Sequence, residues 1–178
     1  MAQLEHLNKL DEGVDKWNAW RELEPEVQPD LSGTDLTGRF LQHVNFEGAN
    51  LQGTFLSVTE LEGANLNHAD LSKSSLTGAD MNKVSAIKTN FEGADLSFAN
   101  LSFSMLDDSN FDGARLSEAI IFNAKVRRAS FKQAYMRESI LTGSDFTGAD
   151  FAGAKLKDLI LDGAILPLGM PKSEKSIR

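Results

Sequence analysis

The sequence predicts an all-β fold in which the chain winds into a square coil. Residues 94–103 read ADLSFANLSF, a five-residue phrase that occurs twice with only Asp95 and Asn100 exchanged. A step of five fits neither the period of about 3.6 residues of a helix nor the two-residue period of a strand. Stepping by five from Leu31 to Leu166, all 28 positions are apolar, and no insertion breaks the register. This part of the chain is therefore an uninterrupted repeat.

The residues around each central apolar position explain how such a coil turns. Two residues before the centre, the side chain is Ala in fourteen repeats, Ser in five and Thr in four, which implies a crowded interior. Two residues after the centre lie twelve of the fourteen glycines, where a type II turn requires a positive φ. Regular tight turns joined by short extended pieces predict a coil with flat faces, with the apolar and small residues inside.

Four repeats to a coil place residues twenty apart directly above one another. Phe91, Phe111, Phe131 and Phe151 then form one ladder, as close packing between adjacent coils favours. Twenty-eight repeats give seven coils, and a spacing of about 4.8 Å between paired strands gives a stack roughly 34 Å tall.

The repeated phrases GANLQG, GADMNK, GADLSF and FANLSF resemble those of the pentapeptide-repeat proteins. The resemblance covers residues 30–166 and implies a right-handed quadrilateral β-helix of about seven four-repeat coils. Three residues depart from the pattern: Arg39 and Leu159 occupy small inward positions, and Ala86 occupies a central one. We expect Val84 to fill part of the space that Ala86 leaves.

An amphipathic helix is predicted at the N-terminus, since a solenoid must cover its unpaired strand edges. Its apolar positions are Leu4, Leu7, Leu10, Val14, Trp17, and Trp20 or Arg21. This helix would lie on the first coil and end near Pro25 and Pro29. Trp17 and Trp20 could instead form an aromatic ligand-binding pair, but capping is the favoured interpretation. The expected organisation is a helical cap and linker at 1–28, the β-helix at 29–166, and a short cap and polar tail at 167–178.

The C-terminal end carries an apolar cluster that comprises Ile160, Ile165, Leu166, Leu168 and Met170. Pro167 and Pro171 prevent further ladder bonding. The favoured interpretation is a short cap that folds over the last coil. The alternative is an end contact through Ile165, Leu168 and Met170, which the resemblance supports because some family members dimerise end to end. The protein is thus expected to be a monomer or an end-to-end homodimer.

No pattern in the sequence points to catalysis. There is no cysteine, the three histidines lie far apart, and residues 69–178 contain none, so a Ser-His-Asp arrangement is not expected there. Ser74, Ser104, Ser109, Ser139 and Ser144 occupy inward positions, where their hydroxyl groups should bond the backbone. We expect a protein that is not an enzyme and that binds no cofactor and no metal ion.

Charge and composition narrow the class of partner. The formal net charge of −8 disfavours direct nucleic-acid binding. One basic island interrupts the acidic repeat, and it comprises Arg115, Lys125, Arg127, Arg128, Lys132 and Arg137. The chain shows neither a secretory signal nor an apolar run long enough to cross a bilayer, so a cytoplasmic location without membrane contact is expected.

An outward apolar stripe is the candidate interaction surface. On the face of Leu41, Leu61 and Met81, the residues before the last three central positions are Ile120, Ile140 and Ile160, with Phe103 and Phe122 nearby. A contiguous apolar stripe on a polar shaft usually marks a contact surface. The simpler alternative is that these isoleucines only favour strand geometry through β-branching.

Two functions remain open at this point. The first is a non-catalytic scaffold that binds another protein through the stripe. The second is mimicry of duplex DNA, which the resemblance to gyrase-inhibiting and gyrase-protecting pentapeptide proteins suggests. Mimicry needs a long negative face, and the basic island interrupts it.

Overall fold

A computed structural model describes residues 3–170, and its body is a right-handed quadrilateral β-helix of seven coils. Parallel pairing between residues twenty apart begins with Asp30 and Asn50 and continues to Asp145 and Ile165. The longest paired pieces are strands β1 (Tyr135–Arg137) and β2 (Lys155–Lys157), which pair in parallel with Tyr135 opposite Lys155. The predicted fold class is confirmed.

The coils present four flat faces, which we number in chain order by their central residues. Face I runs from Leu31 to Phe151, face II from Leu36 to Leu156, face III from Leu41 to Leu161 and face IV from Phe46 to Leu166, each in steps of twenty. On every face, the residue before the centre and the two residues after it point outward.

Every turn uses the left-handed backbone region, whether or not glycine is present. All 27 residues at the turn position from 33 to 163 have a positive φ; twelve of them are glycines and fifteen are not. Val58, with φ of +50°, is a β-branched side chain in a region that such residues rarely adopt. At Gly143 the missing side chain also matters for space, since an added Cβ would lie 2.1 Å from Oδ1 of Asn123.

Asp or Asn precedes many central residues because its side chain closes the turn. Oδ1 of Asp70 accepts the backbone N–H of Ser72 at 2.9 Å, and Asp30 does the same for Ser32 at 3.0 Å. The same oxygens accept bonds between coils, as when Nδ2 of Asn90 donates to Asp70 at 3.0 Å. The D/N position of the repeat therefore serves both the turn and the stack.

The interior follows the predicted ladder. The rings of Phe91, Phe111, Phe131 and Phe151 stack in sequence at centroid distances of 4.8, 4.8 and 4.9 Å. Ala86 and Val84 are both fully buried. The five inward serines donate to backbone carbonyl groups, for example Ser139 to Leu116 at 2.7 Å and Ser144 to Ile121 at 2.6 Å.

The N-terminal cap consists of two helices, α1 (Leu4–Asp11) and α2 (Val14–Leu23), rather than the single helix predicted. Gly13 separates them because its φ of +105° is incompatible with a continuous helix. The buried side chains are His6, Leu10, Trp17 and Arg21, whereas Leu4 is 70% exposed. The prediction that Leu4 faces the first coil is therefore wrong, since the face that α1 buries is that of His6 and Leu10.

The cap binds the first coil through both rings and hydrogen bonds. Trp17 packs edge-on against Phe46 at 5.5 Å and its Nε1 donates to the carbonyl oxygen of Asn45 at 2.8 Å. Arg39, which departs from the repeat pattern, pairs with Asp11 at the end of α1 at 2.5 Å. The large residue at an inward position thus contacts the cap.

Candidate interaction surface

The structure brings the five predicted stripe residues together on face III. We call this set, Phe103, Ile120, Phe122, Ile140 and Ile160, the apolar stripe. Ile120 pairs in parallel with Ile140, and Ile140 with Ile160, so the three isoleucines form one column across successive coils. The rings of Phe103 and Phe122 meet edge to face at 5.4 Å beside that column, since Phe122 lies two residues after Ile120 and Phe103 three residues after Asn100.

Exposure differs along the apolar stripe. Phe103 is 52% exposed, Ile160 45% and Ile120 37%, whereas Phe122 and Ile140 are half-buried. Ile140 lies between Ile120 and Ile160 in the column, and Phe122 lies in the coil above that of Phe103. Phe103 occupies the left-handed turn position with φ of +59°, which points its ring outward beside the column.

Charge is almost absent from the C-terminal half of face III, which we call its upper half, as on the other faces. Among its outward residues from Asn100 to Gly163, only Asp162 is charged. The lower half of the same face carries Glu60, Glu62, Asp80 and Lys83, with Lys83 and Glu62 joined at 2.8 Å. The apolar stripe therefore spans four coils of a half-face that carries one charge, on an otherwise ionic shaft.

The adjoining face IV carries two tight ion pairs beside the apolar stripe. Arg127 Nη2 donates a hydrogen bond to Asp107 at 2.5 Å, and Arg128 donates two hydrogen bonds of 2.7 Å to the carboxylate of Asp108. Burial alone would raise the pKa of Asp107, but the hydrogen bonds from Arg127 outweigh it and hold that pKa below its usual range. Both arginines are therefore paired with carboxylates of the same face.

The basic island is distributed over three faces. Lys125, Arg127 and Arg128 lie on face IV, and Lys132 lies on face I, where it meets Asp150 at 3.4 Å. Arg115 and Arg137 lie on face II. Lys155 and Lys157 also lie on face II, twenty residues after Tyr135 and Arg137. This spacing is visible in the sequence, but the predicted island did not include the two lysines.

The predicted end-contact residues lie at the last turn of the described chain. Leu168 is 105% exposed and Ile165 56%, whereas Met170 packs against the core. The predicted C-terminal cap and tail continue into residues 171–178, which lie outside the described residues. Ile165 and Leu168 therefore present apolar surface at this end, apart from the apolar stripe.

Catalytic and metal-binding groups are dispersed. His6 is buried in the cap, where its Nδ1 accepts the backbone N–H of Asp30 at 3.0 Å, and His43 and His68 are turn residues on different faces. Residues 3–170 contain no group of three His, Cys, Asp or Glu side chains that could hold a metal ion. A concavity of about 570 Å³ is an open cleft between α2 and the first coil, beside Phe40 and His43.

Comparison with known proteins identifies the repeat. A family model described as pentapeptide repeats matches residues 30–67, 59–97, 94–133 and 129–166. A search of curated proteins gives no match. Neither helix of the described chain has the length and apolar character needed to cross a membrane.

Solved structures share the fold at low sequence identity. A trypsin-treated form of QnrB1, a plasmid-mediated fluoroquinolone resistance protein, aligns at a TM-score of 0.60 and 18% identity, over 74% of this chain and 64% of that one. This chain thus spans less than two thirds of QnrB1. HetL, a pentapeptide repeat protein involved in heterocyst differentiation regulation from the cyanobacterium Nostoc sp. strain PCC 7120, is 20% identical, with 86% and 98% of the two chains covered and a TM-score of 0.37.

Proposed function

This chain belongs to the pentapeptide-repeat family, and from that premise we propose that it is a non-catalytic module that binds another protein through the apolar stripe. The observation that supports this is the column of Ile120, Ile140 and Ile160 beside the Phe103–Phe122 pair, on a half-face with one charge. Burying such a surface against a partner removes apolar area from water at about 25 cal/mol per Å². A flat, rigid surface also loses little conformational entropy on binding.

The alternative, mimicry of duplex DNA, needs an acidic face without interruption. Each of the four faces carries both signs of charge. Lys73 and Lys132 lie on face I and Lys83 on face III, and faces II and IV carry four bases each on their outward positions. The likeness to QnrB1, at 18% identity, concerns the fold alone. We therefore expect that the purified protein neither inhibits DNA supercoiling by gyrase nor protects gyrase from a fluoroquinolone.

The test is capture from a lysate of the source cells, followed by titration of the captured protein after its purification. The stripe variant combines Ile120→Asp, Phe122→Asp and Ile140→Asp. A control variant combines Gln52→Asp, Gln133→Asp and Ala152→Asp, which adds three carboxylates at exposed positions on face I. Far-UV circular dichroism and thermal unfolding establish that both variants retain the coil.

We expect wild type and control variant to capture the same protein with equal affinity. The stripe variant should bind it at least about tenfold more weakly, because burying an unpaired carboxylate in an apolar contact is unfavourable. Equal binding by the stripe variant would contradict the proposal and leave the isoleucines as strand formers. Gyrase inhibition that survives in the stripe variant would favour DNA mimicry instead.

A further inference from the structure

Taken together, two of the three outward columns of face II divide into an acidic lower half and a basic upper half, whereas the turn column carries Glu118, Glu138 and Asp158 in the upper half. Its outward column before the central residues reads Asp35, Phe55, Ser75, Asp95, Arg115, Tyr135 and Lys155. The column after the central residues is neutral up to Ser117 and then carries Arg137 and Lys157. No other face separates its charges in this way along the coil axis.

The bases of the upper half are largely available to a partner. Lys155 Nζ lies 4.4 Å from the centre of the Tyr135 ring and 3.3 Å from its hydroxyl oxygen. Within residues 3–170, Arg115, Lys155 and Lys157 form no ion pair, whereas Arg137 binds Glu138 at 2.8 Å. In the described range, the upper half therefore combines three cations that belong to no ion pair with an aromatic ring, beside the acids of the turn column.

Face II also exposes large apolar side chains at matching heights. Phe55 is 53% exposed and Tyr135 43%, and they lie two coils below and two coils above the coil of Asp95. Phe98, in that central coil, is 56% exposed at the edge of the face. Aromatic rings are thus distributed symmetrically about the middle of the column.

These positions make face II complementary to itself when it is reversed. A two-fold axis that lies in the contact plane at the coil of Asp95 and Phe98 places a second copy antiparallel, with each column opposite itself. Asp35 then faces Lys155, Phe55 faces Tyr135 and Arg115 faces Ser75. The two Asp95 carboxylates face each other at the axis, and each lies within one coil of Arg115 from both copies. Because every coil rises by the same step, all of these pairs come into register together.

We propose that face II is the contact surface for a second copy of this chain, packed face to face and antiparallel about this two-fold axis. A symmetric contact of this kind requires self-complementarity, and the charge order of face II supplies it. An acidic peptide or a nucleic acid would match the upper half but would face Asp35 and Asp95 in the lower half. The surface is separate from the apolar stripe on face III, which remains accessible, and the proposal does not depend on that function.

A charge-swap experiment tests the pairing of Asp35 with Lys155. Light scattering coupled to size exclusion measures the mass of wild type, of Asp35→Lys, of Lys155→Asp, and of an equimolar mixture of the two variants. Wild type should show twice the chain mass of 19.5 kDa. Each variant alone places like charges opposite each other twice per dimer, so its dimer should dissociate at least about tenfold more readily.

The mixture is the decisive sample. One copy of each variant restores two opposite-charge pairs, so a heterodimer should form where neither homodimer does. Both positions are exposed, and unchanged thermal unfolding would show that each variant folds. A monomeric wild type at roughly 100 μM, which would populate any dimer tighter than about 1 μM, would overturn the proposal. A mixture that stays monomeric would overturn it as well.

Cross-linking tests the position of the two-fold axis, and the absence of cysteine from the chain leaves no background. Ser97→Cys places a thiol in the central coil, opposite its own copy, whereas the control Ser57→Cys places it two coils lower in the same column. Packed sheets lie about 10 Å apart, and four coils separate the two control thiols by roughly 19 Å along the axis. A bis-maleimide with a 10 Å arm, about the distance between packed sheets, should therefore link the first variant and not the second. Equal linking of both, or of neither, would contradict the proposed register.

Discussion

The two ends of the solenoid differ in how completely their apolar interior is covered. In the first coil, Leu31, Leu36 and Phe46 are 0% exposed because α1 and α2 lie over them. In the last coil, Phe151 and Leu156 are 3% and 5% exposed, but Leu161 is half-buried and Leu166 is 39% exposed. Within residues 3–170, the apolar interior is therefore covered at the N-terminal end and partly exposed at the C-terminal end.

The unpaired backbone groups at the two ends differ in the same way: more of them find hydrogen-bond partners at the N-terminal end. At the first coil, Asn18 binds two backbone groups of the edge, and Arg21 Nη2 donates to the carbonyl oxygen of Glu47 at 2.8 Å. At the last coil, the N–H groups of Phe151 and Leu161 donate no backbone hydrogen bond to any residue in the described range. Each coil contacts only its neighbours, so we expect the stack to open from the C-terminal end first.

The largest effect is expected for Trp17→Ala in the cap. This change removes a fully buried ring from Phe46 and leaves the carbonyl oxygen of Asn45 without its donor. Truncation of a buried Trp costs about 3–5 kcal/mol. Denaturation in urea measures the free energy of unfolding.

The matched change at the other end is Leu168→Ala, and its side chain is fully exposed. We expect it to lie within about 0.5 kcal/mol of wild type. A loss comparable to that of Trp17→Ala would mean that the C-terminal end is covered as well as the cap covers the first coil.

The phenylalanine ladder allows the same comparison with one side chain. Phe111 stacks between two rings at 4.8 Å, whereas Phe151 has only one ladder neighbour, Phe131, at 4.9 Å. Phe111→Ala leaves an enclosed cavity and should cost about 3–5 kcal/mol. Phe151 is 3% exposed and also contacts Phe146, but it has no ring above it, so Phe151→Ala should cost less, about 2–3 kcal/mol. Equal losses in urea denaturation would argue against an open upper end.

A smaller effect is expected for Asn18→Ala, which acts on the edge hydrogen bonds alone. The Asn18 side chain accepts the N–H of Asn45 at 2.8 Å and donates to the carbonyl oxygen of His43 at 3.0 Å. Leaving these groups without partners should cost about 1–3 kcal/mol. The control is Asn8→Ala, an exposed residue of α1, for which a change within about 0.5 kcal/mol is expected.

The regular part of this structure could be predicted from the sequence because one five-residue pattern determines it. The seven coils and the phenylalanine ladder all follow from counting, and the structure confirms them. The positive φ at fifteen residues without glycine did not follow, since the pairing of neighbouring coils imposes that conformation on side chains as different as Val58 and Phe98. The break at Gly13 was also missed, because the apolar spacing of α1 and α2 continues across it.

The surfaces were predictable only in part. The twenty-residue spacing gave the column of Ile120, Ile140 and Ile160, but not the degree to which each is exposed. The charge order of face II was present in the same spacing, yet grouping the bases by sequence distance combined Arg115 with Arg127, which lies on another face and is bound to Asp107. Three-dimensional adjacency in this fold depends on position modulo twenty, so sequence neighbours are a poor guide to surface neighbours.

The smallest effect concerns Asp30, at the junction of cap and first coil. Burial by itself raises the pKa of Asp30. The hydrogen bonds that the carboxylate accepts from Ser32, together with the electrostatic effect of His6, outweigh burial, so that the pKa of Asp30 lies below its ordinary value. A carboxylate with a lowered folded-state pKa contributes stability above the unfolded value of about 3.9, and that stability is lost as the pH falls through the folded-state pKa. Asp30→Asn should therefore reduce the loss of unfolding free energy between about pH 5 and pH 2 relative to wild type. If NMR titration placed the Asp30 midpoint at or above about 3.9, the carboxylate would contribute nothing to the acid sensitivity of the capped end.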